Sequence, residues 1–144
     1  MPNTSPSIDF SKIKIVDIMT TRLVCIAMDD NLEAVKNIFD NVRFHHLLVV
    51  EDELLVGVVS DRDLLKSISY KVDTAAETSR DSASLNKRVH QIMTRELICL
   101  NQQSTLADAI KLFGKHTISC LPVVDQMGKP IGIVSWRDLI KEFV

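Results

Sequence analysis

Two stretches of the chain share the same spacing of a serine and an aspartate. Ser60 and Asp63 lie in "GVVSDRDLLK", and Ser135 and Asp138 lie in "GIVSWRDLIK". At the start of a helix, such a pair can form a capping box, in which each side chain accepts a hydrogen bond from the other residue's backbone. The same groups can bind a ribonucleotide, because a helix N-terminus attracts phosphate and a carboxylate can accept hydrogen bonds from both ribose hydroxyls. The motif therefore suits a helix start, a binding site, or both.

Each stretch also begins with a glycine and carries an arginine between the serine and the aspartate. A glycine in a strand, here Gly57 or Gly132, is typical of a close approach by another backbone or a ligand. Arg62 and Arg137 would lie near the helix N-termini, where each suits either a solvated surface or a contact to phosphate. The sequence leaves both interpretations open.

The two stretches belong to a longer internal repeat. "IMTTRLVCI" aligns with "IMTRELICL", "LEAVKNIF" with "LADAIKLF", and "LLVVE" with "LPVVD", and one extra residue in "DQMGKP" then aligns the two Ser-x-x-Asp stretches. Self-similarity of this kind indicates a duplicated structural unit. We assign residues 1–13 to a flexible N-terminal lead-in, 14–68 to repeat 1, 69–87 to a polar linker, and 88–144 to repeat 2.

Each repeat predicts the element order strand, helix, strand, strand, helix. "LVCIA" is a short apolar run typical of a strand. Asp30 and Glu33 predict the capped start of the first helix, and apolar residues recur at helical spacing from Leu32 onward. "HLLVV" and "LLVGVV" are continuous apolar runs, as in strands buried on both faces.

The second helix of repeat 1 is predicted to begin at Ser60 and to turn three apolar residues inward: Leu64, Leu65 and Ile68. A unit of about 55 residues buries a small fraction of its surface and is therefore only marginally stable alone. We therefore expect the two units to pack about a pseudo-two-fold axis. The predicted fold class is α/β (α+β), with two βαββα repeats, and any cleft between the repeats should occur twice.

Composition restricts the classes of function. The chain has 144 residues and a net charge of -2 without a basic run, which argues against nucleic acid as a partner. The sequence lacks an apolar stretch near the ~20 residues that span a bilayer, and it lacks the apolar core of a signal peptide, so we expect a cytoplasmic protein without a membrane partner.

The three cysteines lack metal-type spacing. The P-loop, HExxH and G-x-S-x-G motifs are absent from the sequence, and we predict no enzyme activity, no metal and no required cofactor.

The repeated unit, with "IMT", "LPVVD" and "GIVSWRDLIK" in that order, resembles the cystathionine-β-synthase (CBS) domain, a tandem pair of which is called a Bateman module. The resemblance covers nearly all of residues 14–143. It implies a regulatory module that binds adenosine derivatives between its repeats, with AMP, ADP or ATP favoured over S-adenosylmethionine. It also implies a homodimer and an unidentified regulated protein. The alternative is a structural dimerisation module whose ligand clefts are vestigial.

The resemblance further implies two crossed clefts. In one cleft, Ser60 and Asp63 face residues at the start of a repeat-2 strand, namely Ser119, Cys120 and Leu121. In the other cleft, Ser135 and Asp138 face the matching residues of repeat 1, namely His45, His46 and Leu47. The aspartates would hold ribose, the serines would face phosphate, and the backbone near the strands would contact adenine.

Sequence differences make these two clefts unequal. His45 and His46 stand in one copy where the other has Ser119 and Cys120, and each histidine suits either a phosphate contact or a partly buried structural role. Trp136 replaces an aspartate of the first copy, and it suits stacking on adenine, a dimer contact or plain packing. We hypothesise that the histidine-containing cleft binds phosphorylated adenosine more tightly.

Overall fold

The computed structural model of the chain describes residues 8–68 and 71–143. The chain divides into two compact units, each with one three-stranded sheet. Of the described residues, the repeat-1 unit comprises 22–68, 71–97 and 127–130, and the repeat-2 unit comprises 8–21, 98–126 and 131–143.

The repeat-1 unit has the predicted order of elements. Its strands and helices are β1 (Cys25–Ile26), α1 (Leu32–Asn41), β2 (His46–Glu51), β3 (Leu54–Ser60), α2 (Asp61–Ser67) and α3 (Ser79–Ala83). Strand β2 lies in the middle of the sheet, parallel to β1 and antiparallel to β3. The apolar run of β2 is buried at Leu47, Leu48 and Val49, as expected for a central strand.

The repeat-2 unit repeats this architecture. Its elements are β4 (Leu100–Asn101), α4 (Leu106–Lys115), β5 (Cys120–Val124), β6 (Pro130–Ser135) and α5 (Trp136–Lys141). The sheet order is β4-β5-β6, and α4 buries one apolar side, formed by Leu106, Ala109 and Phe113, in the core. The mixed α/β class with two βαββα repeats is therefore confirmed.

The residues that precede the first strand of each repeat lie in the unit of the other repeat. Ile15 is fully buried in the core of the repeat-2 unit, where its N–H donates to the Ser104 carbonyl at 2.9 Å. Val89 is fully buried in the core of the repeat-1 unit, where its N–H donates to the Asp30 carbonyl at 2.9 Å. We call residues 14–21 and 88–97 the exchanged segments. Each of them contains one copy of the "IMT" sequence.

Helix α1 begins differently from the prediction. Asn31 is its N-cap, and the Asn31 side chain accepts a hydrogen bond from the Ala34 N–H at 2.9 Å. The predicted box of Asp30 and Glu33 is wrong, because the Asp30 carboxylate accepts from the Ala27 N–H at 2.8 Å and so closes the preceding turn. Asparagine caps helices as well as aspartate does.

Helix α2 begins after Ser60 as predicted, but only one of its two adjacent leucines faces inward. Leu64 is 4% exposed, whereas Leu65 is 69% exposed. The predicted inward orientation of Leu65 is wrong, because neighbouring residues on a helix point about 100° apart and a short helix buries a narrow stripe. Ile68 follows the end of α2 and packs against the core.

The predicted lead-in and linker contain local structure. Residues 1–7 and 69–70 lie outside the described residues. Phe10–Lys12 forms a short 3-10 turn, and the Phe10 ring packs edge-on against Phe143 at 5.4 Å between centroids. The predicted linker interval 69–87 contains α3. No helix in the described ranges has the length and apolar character that crossing a membrane requires.

Candidate functional site

The first Ser-x-x-Asp motif joins the end of β3 to the start of α2. The Ser60 hydroxyl accepts a hydrogen bond from the Asp63 N–H at 3.1 Å, and the Asp63 carboxylate accepts from the Ser60 N–H at 2.8 Å. The capping-box interpretation is therefore confirmed at this position. Because a carboxylate offers about four acceptor sites, the box leaves Asp63 able to accept further hydrogen bonds.

Two histidines lie beside this motif in the same unit. His46 begins β2 and pairs with Ser60 in the antiparallel ladder. The Asp61 N–H donates to the His45 carbonyl at 3.0 Å, and His45 Nδ1 lies 2.9 Å from Asp61 Oδ2. The sequence analysis did not predict the His45–Asp61 pair. The signal that could have indicated it is Asp61 itself, an acidic residue at the position where repeat 2 has Trp136.

Burial and charge act on this cluster in opposite directions. Burial lowers the pKa of His46; the nearby Asp61 carboxylate opposes this effect, and His45 adds to it. Partial burial acts to raise the pKa of Asp61, but hydrogen bonds from His45 and from the Arg62 backbone outweigh it, and the pKa lies below its usual range. His46 is therefore more often neutral near pH 7 than an exposed histidine, whereas Asp61 stays ionised.

The second Ser-x-x-Asp motif joins β6 to α5 in the repeat-2 unit. The Ser135 N–H donates to Asp138 Oδ2 at 2.8 Å, and the Ser135 hydroxyl lies 3.3 Å from the same oxygen. The Thr20 hydroxyl donates to the other oxygen, Asp138 Oδ1, at 3.3 Å. Asp138 is only 8% exposed. Its carboxylate is thus held at both oxygens.

Thr20 is the site residue that the sequence reasoning missed. Thr20 and Ile133 exchange two backbone hydrogen bonds of 2.9 Å, which fix the exchanged segment on β6 two residues before Ser135. The available signal was the repeated "IMT", in which Thr94 matches Thr20. The sequence could not show that this threonine lies against the aspartate of the other repeat.

The motif glycines are explained by the same exchanged segments. A Cβ atom on Gly57 would lie 2.7 Å from Met93 Sδ, and a Cβ on Gly132 would lie 2.8 Å from Met19 Cγ. A close approach to both glycines is confirmed, but the nearest group is a methionine side chain and not the predicted backbone or ligand. Met19 of repeat 1 thus packs on β6 of repeat 2, and Met93 of repeat 2 packs on β3 of repeat 1.

The residues at the strand starts differ in what they can offer a ligand. Leu47 and Leu121 are fully buried core residues, so only their backbone atoms remain for a ligand contact. Ser119 is exposed, and Cys120 is buried at the start of β5. In the part of the chain that the structure describes, no group of three His, Cys, Asp or Glu is placed to hold a metal ion.

Trp136 packs within its own unit. Its ring lies 4.9 Å from that of Phe113, tilted by 38°, while 47% of the residue stays exposed. The sequence suits stacking on adenine, a dimer contact or plain packing at Trp136, and plain packing accounts for the buried part of the side chain. Arg62 and Arg137, the second residues of α2 and α5, are both exposed.

The predicted site residues therefore fall into two groups. The repeat-1 unit holds His45, His46, Leu47, Ser60, Arg62 and Asp63. The repeat-2 unit holds Ser119, Cys120, Leu121, Ser135, Arg137 and Asp138. The crossed clefts would join residues of different units, and they stay a prediction.

Residues 15–70 and 89–144 match the CBS domain family. The chain belongs to the CBS-domain family. It is 30% identical over 131 residues to a CBS domain-containing protein of Dictyostelium discoideum, covering 90% of each chain. It is also 28% identical over 126 residues to the homoserine O-acetyltransferase of Methanococcoides burtonii, but it spans only 23% of that protein's length.

A solved CBS-domain structure has the same fold. The crystal structure of CBSX2 in complex with AMP superposes with a TM-score of 0.74 at 28% identity, covering 91% of this chain and 96% of CBSX2. Both CBS domains of the present chain are thus matched by a solved protein of nearly the same extent.

Proposed function

We propose that this CBS-domain chain is a non-catalytic, cytoplasmic regulatory module that binds an adenosine derivative, namely AMP, ADP or ATP, and signals its occupancy to a partner protein. The burial of Asp138 carries the proposal. Asp108 forms the same kind of box with Thr105 at the start of α4, yet Asp108 is exposed. Capping alone therefore does not require a buried carboxylate, whereas a ribose acceptor gains from being shielded from water.

The two motifs supply the groups that a nucleotide requires. Asp63 and Asp138 would accept hydrogen bonds from the ribose hydroxyls, and Ser60 and Ser135 would lie near phosphate. The exposed Arg62 and Arg137 can reach outward to phosphate charge. The similarity to CBSX2, which was crystallised with AMP, supports this choice of ligand class.

Thermal unfolding in the presence of nucleotides tests the proposal. AMP, ADP, ATP, S-adenosylmethionine and GMP are compared at equal concentrations, followed by calorimetric titration of any that stabilise the protein. A ligand at 100 times its Kd adds about 2.7 kcal/mol to the free energy of unfolding. An adenine nucleotide should raise the midpoint by several degrees, while GMP should not. If every compound leaves the midpoint unchanged, the alternative of a structural module with vestigial clefts is favoured.

Matched asparagine variants separate ligand binding from helix capping. Asp63→Asn, Asp138→Asn and Asp108→Asn each alter one capping box, but only the first two alter a proposed site. Nucleotide affinity should fall in the site variants and stay unchanged in Asp108→Asn. Equal affinities in all three variants would contradict the assignment of the aspartates. His46→Ala and Ser119→Ala, titrated in parallel, compare the two groups of strand-start residues.

We also propose that the chain forms a homodimer through the exposed apolar side of α5. Trp136 and Ile140 are 47% and 55% exposed, and Phe143, just beyond the helix, is 55% exposed. These residues follow helical spacing and form one apolar patch on the repeat-2 unit. Large exposed apolar patches mark interaction sites, and a second copy of the chain is the partner that the family resemblance implies.

A further inference from the structure

The two motif aspartates differ in the hydrogen bonds they receive, although their sequences match. Asp138 receives bonds at both oxygens, with Thr20 on Oδ1 and Ser135 on Oδ2. Asp63 receives the bond from the Ser60 N–H on Oδ2. Within residues 8–68 and 71–143, no hydrogen bond joins Asp63 to Thr94, the counterpart of Thr20. Thr20 therefore acts on only one of the two aspartates.

This difference does not come from the backbone of the exchanged segments. Thr94 is paired with Val58 by backbone hydrogen bonds of 2.9 and 3.2 Å, just as Thr20 is paired with Ile133. The threonines thus stand at matching positions beside the motif strands. They differ in environment, because Thr94 is exposed whereas Thr20 is partly buried.

A carboxylate held at both oxygens cannot rotate freely about its terminal bond. Thr20 and Ser135 together fix the plane of the Asp138 carboxylate and occupy part of its acceptor capacity. The remaining lone pairs then point in fixed directions, which reduces the ordering cost when two hydroxyls of one ribose bind. Asp63 lacks the second of these restraints.

We propose that Thr20 is a positioning residue that orients Asp138 for the ribose hydroxyls and makes the Asp138 site the more ribose-selective of the two. This inference rests on the proposed function. Thr20 acts through Asp138 and need not touch the ligand. The repeat alignment does not reveal this role, because Thr20 belongs to repeat 1 by sequence but its hydroxyl donates to an aspartate of repeat 2.

The test compares AMP with 2′-deoxy-AMP, which lacks one ribose hydroxyl. Both nucleotides are titrated into the wild-type chain and into Thr20→Val, Thr20→Ser and Thr94→Val. Thr20→Val should weaken AMP binding by up to about tenfold, because the Asp138 carboxylate must then be ordered when the nucleotide binds. The preference for AMP over 2′-deoxy-AMP should shrink in the same variant. Thr20→Ser keeps the hydroxyl and should keep both values, and Thr94→Val is the matched control that should behave as wild type.

The outcomes separate this inference from the proposed function. Absence of AMP binding to the wild-type chain defeats the proposed function for AMP, and the inference with it. Normal AMP binding together with an unchanged nucleotide preference in Thr20→Val defeats the inference alone. A merely structural role for Thr20 would lower the folded fraction without changing the preference, because both nucleotides are measured on the same variant. Thr20→Ala replaces Thr20→Val if the valine variant fails to fold.

Discussion

Replacing Gly132 by alanine tests whether the exchanged segment determines why this motif position is glycine. The added Cβ would lie 2.8 Å from Met19 Cγ and 3.1 Å from Met19 Cε, with Met19 Sδ nearer still. Atoms this close repel one another, since non-bonded carbon atoms prefer separations of about 3.5–4.0 Å. Either the Met19 side chain or β6 must therefore move.

The structure restricts how Met19 can move away. The Met19 N–H donates to the Ile15 carbonyl at 2.9 Å, and the next residue, Thr20, is paired with Ile133 on β6. Overpacking of this kind costs about 1–3 kcal/mol. Gly132 does not have a positive φ, so alanine fits its backbone and the loss of unfolded-state entropy returns about 0.4–1 kcal/mol. We expect a net loss of about 1–2 kcal/mol.

Thermal unfolding followed by circular dichroism measures this loss. A change of 1 kcal/mol shifts the midpoint of a chain of this size by about 2–4 °C, so Gly132→Ala should lower it by about 2–8 °C. Gly114→Ala is the matched control in the same unit. Gly114 lies in α4 with no atom within 4 Å of an added Cβ. Its replacement should stabilise the protein by about 0.5–1 kcal/mol, because alanine favours helix.

The double variant with Met19→Ala decides whether the contact is the cause. In the Met19→Ala background, Gly132→Ala should be neutral or slightly stabilising, because the obstructing side chain is gone. A loss of the same size in both backgrounds would refute the reasoning. Gly57→Ala should be rescued only in part by Met93→Ala, since the Thr94 carbonyl oxygen lies 3.2 Å from the added Cβ and stays in place.

Two further predictions concern pH and association. Burial depresses the folded-state pKa of His46 below its ordinary 6.5, so the unfolded chain binds more protons between the folded-state pKa and pH 6.5. The free energy of unfolding should therefore fall as the pH drops through 6.5 toward the folded-state pKa. Urea unfolding at several pH values measures this slope, which should flatten in His46→Gln. An unchanged slope would contradict the role of His46. Light scattering should show that the wild-type chain is a dimer and that Ile140→Asp is a monomer. The control Met127→Asp, at a residue 75% exposed outside the patch, should stay dimeric. A dimeric Ile140→Asp would exclude the α5 patch as the dimer interface.

Local patterns in the sequence predicted most of the fold. The apolar run of β2 and the helical spacing from Leu32 depend on neighbours a few residues away, so they can be recognised without knowing tertiary contacts. The wrong details were also local: capping of α1 moved from Asp30 to Asn31, and Leu65 faced outward. Both errors lie within one residue of the true feature, as expected where adjacent residues compete for a cap or a buried stripe.

The exchanged segments could not be predicted in the same way. The alignment places Met19 in repeat 1, whereas the structure packs its side chain on Gly132 of repeat 2. Periodicity reports which side of an element is apolar, but it does not report which of two similar partners covers that side. For two nearly identical strands the choice is made by tertiary packing, and Thr20 was missed for the same reason.

Capping explains the spacing of the Ser-x-x-Asp motif but not the environment of Asp138. The exposed Asp108 performs the same capping task at the start of α4 without burial. Burying a carboxylate costs free energy unless hydrogen bonds compensate. At Asp138 the Ser135 N–H supplies one such bond, as in any capping box, and Thr20 on the exchanged segment supplies an additional one. Because a helix start requires neither the burial nor the extra donor, both features need another cause. The proposed orientation of the Asp138 carboxylate for two ribose hydroxyls would account for both features, and it would apply to Asp138 rather than to Asp63.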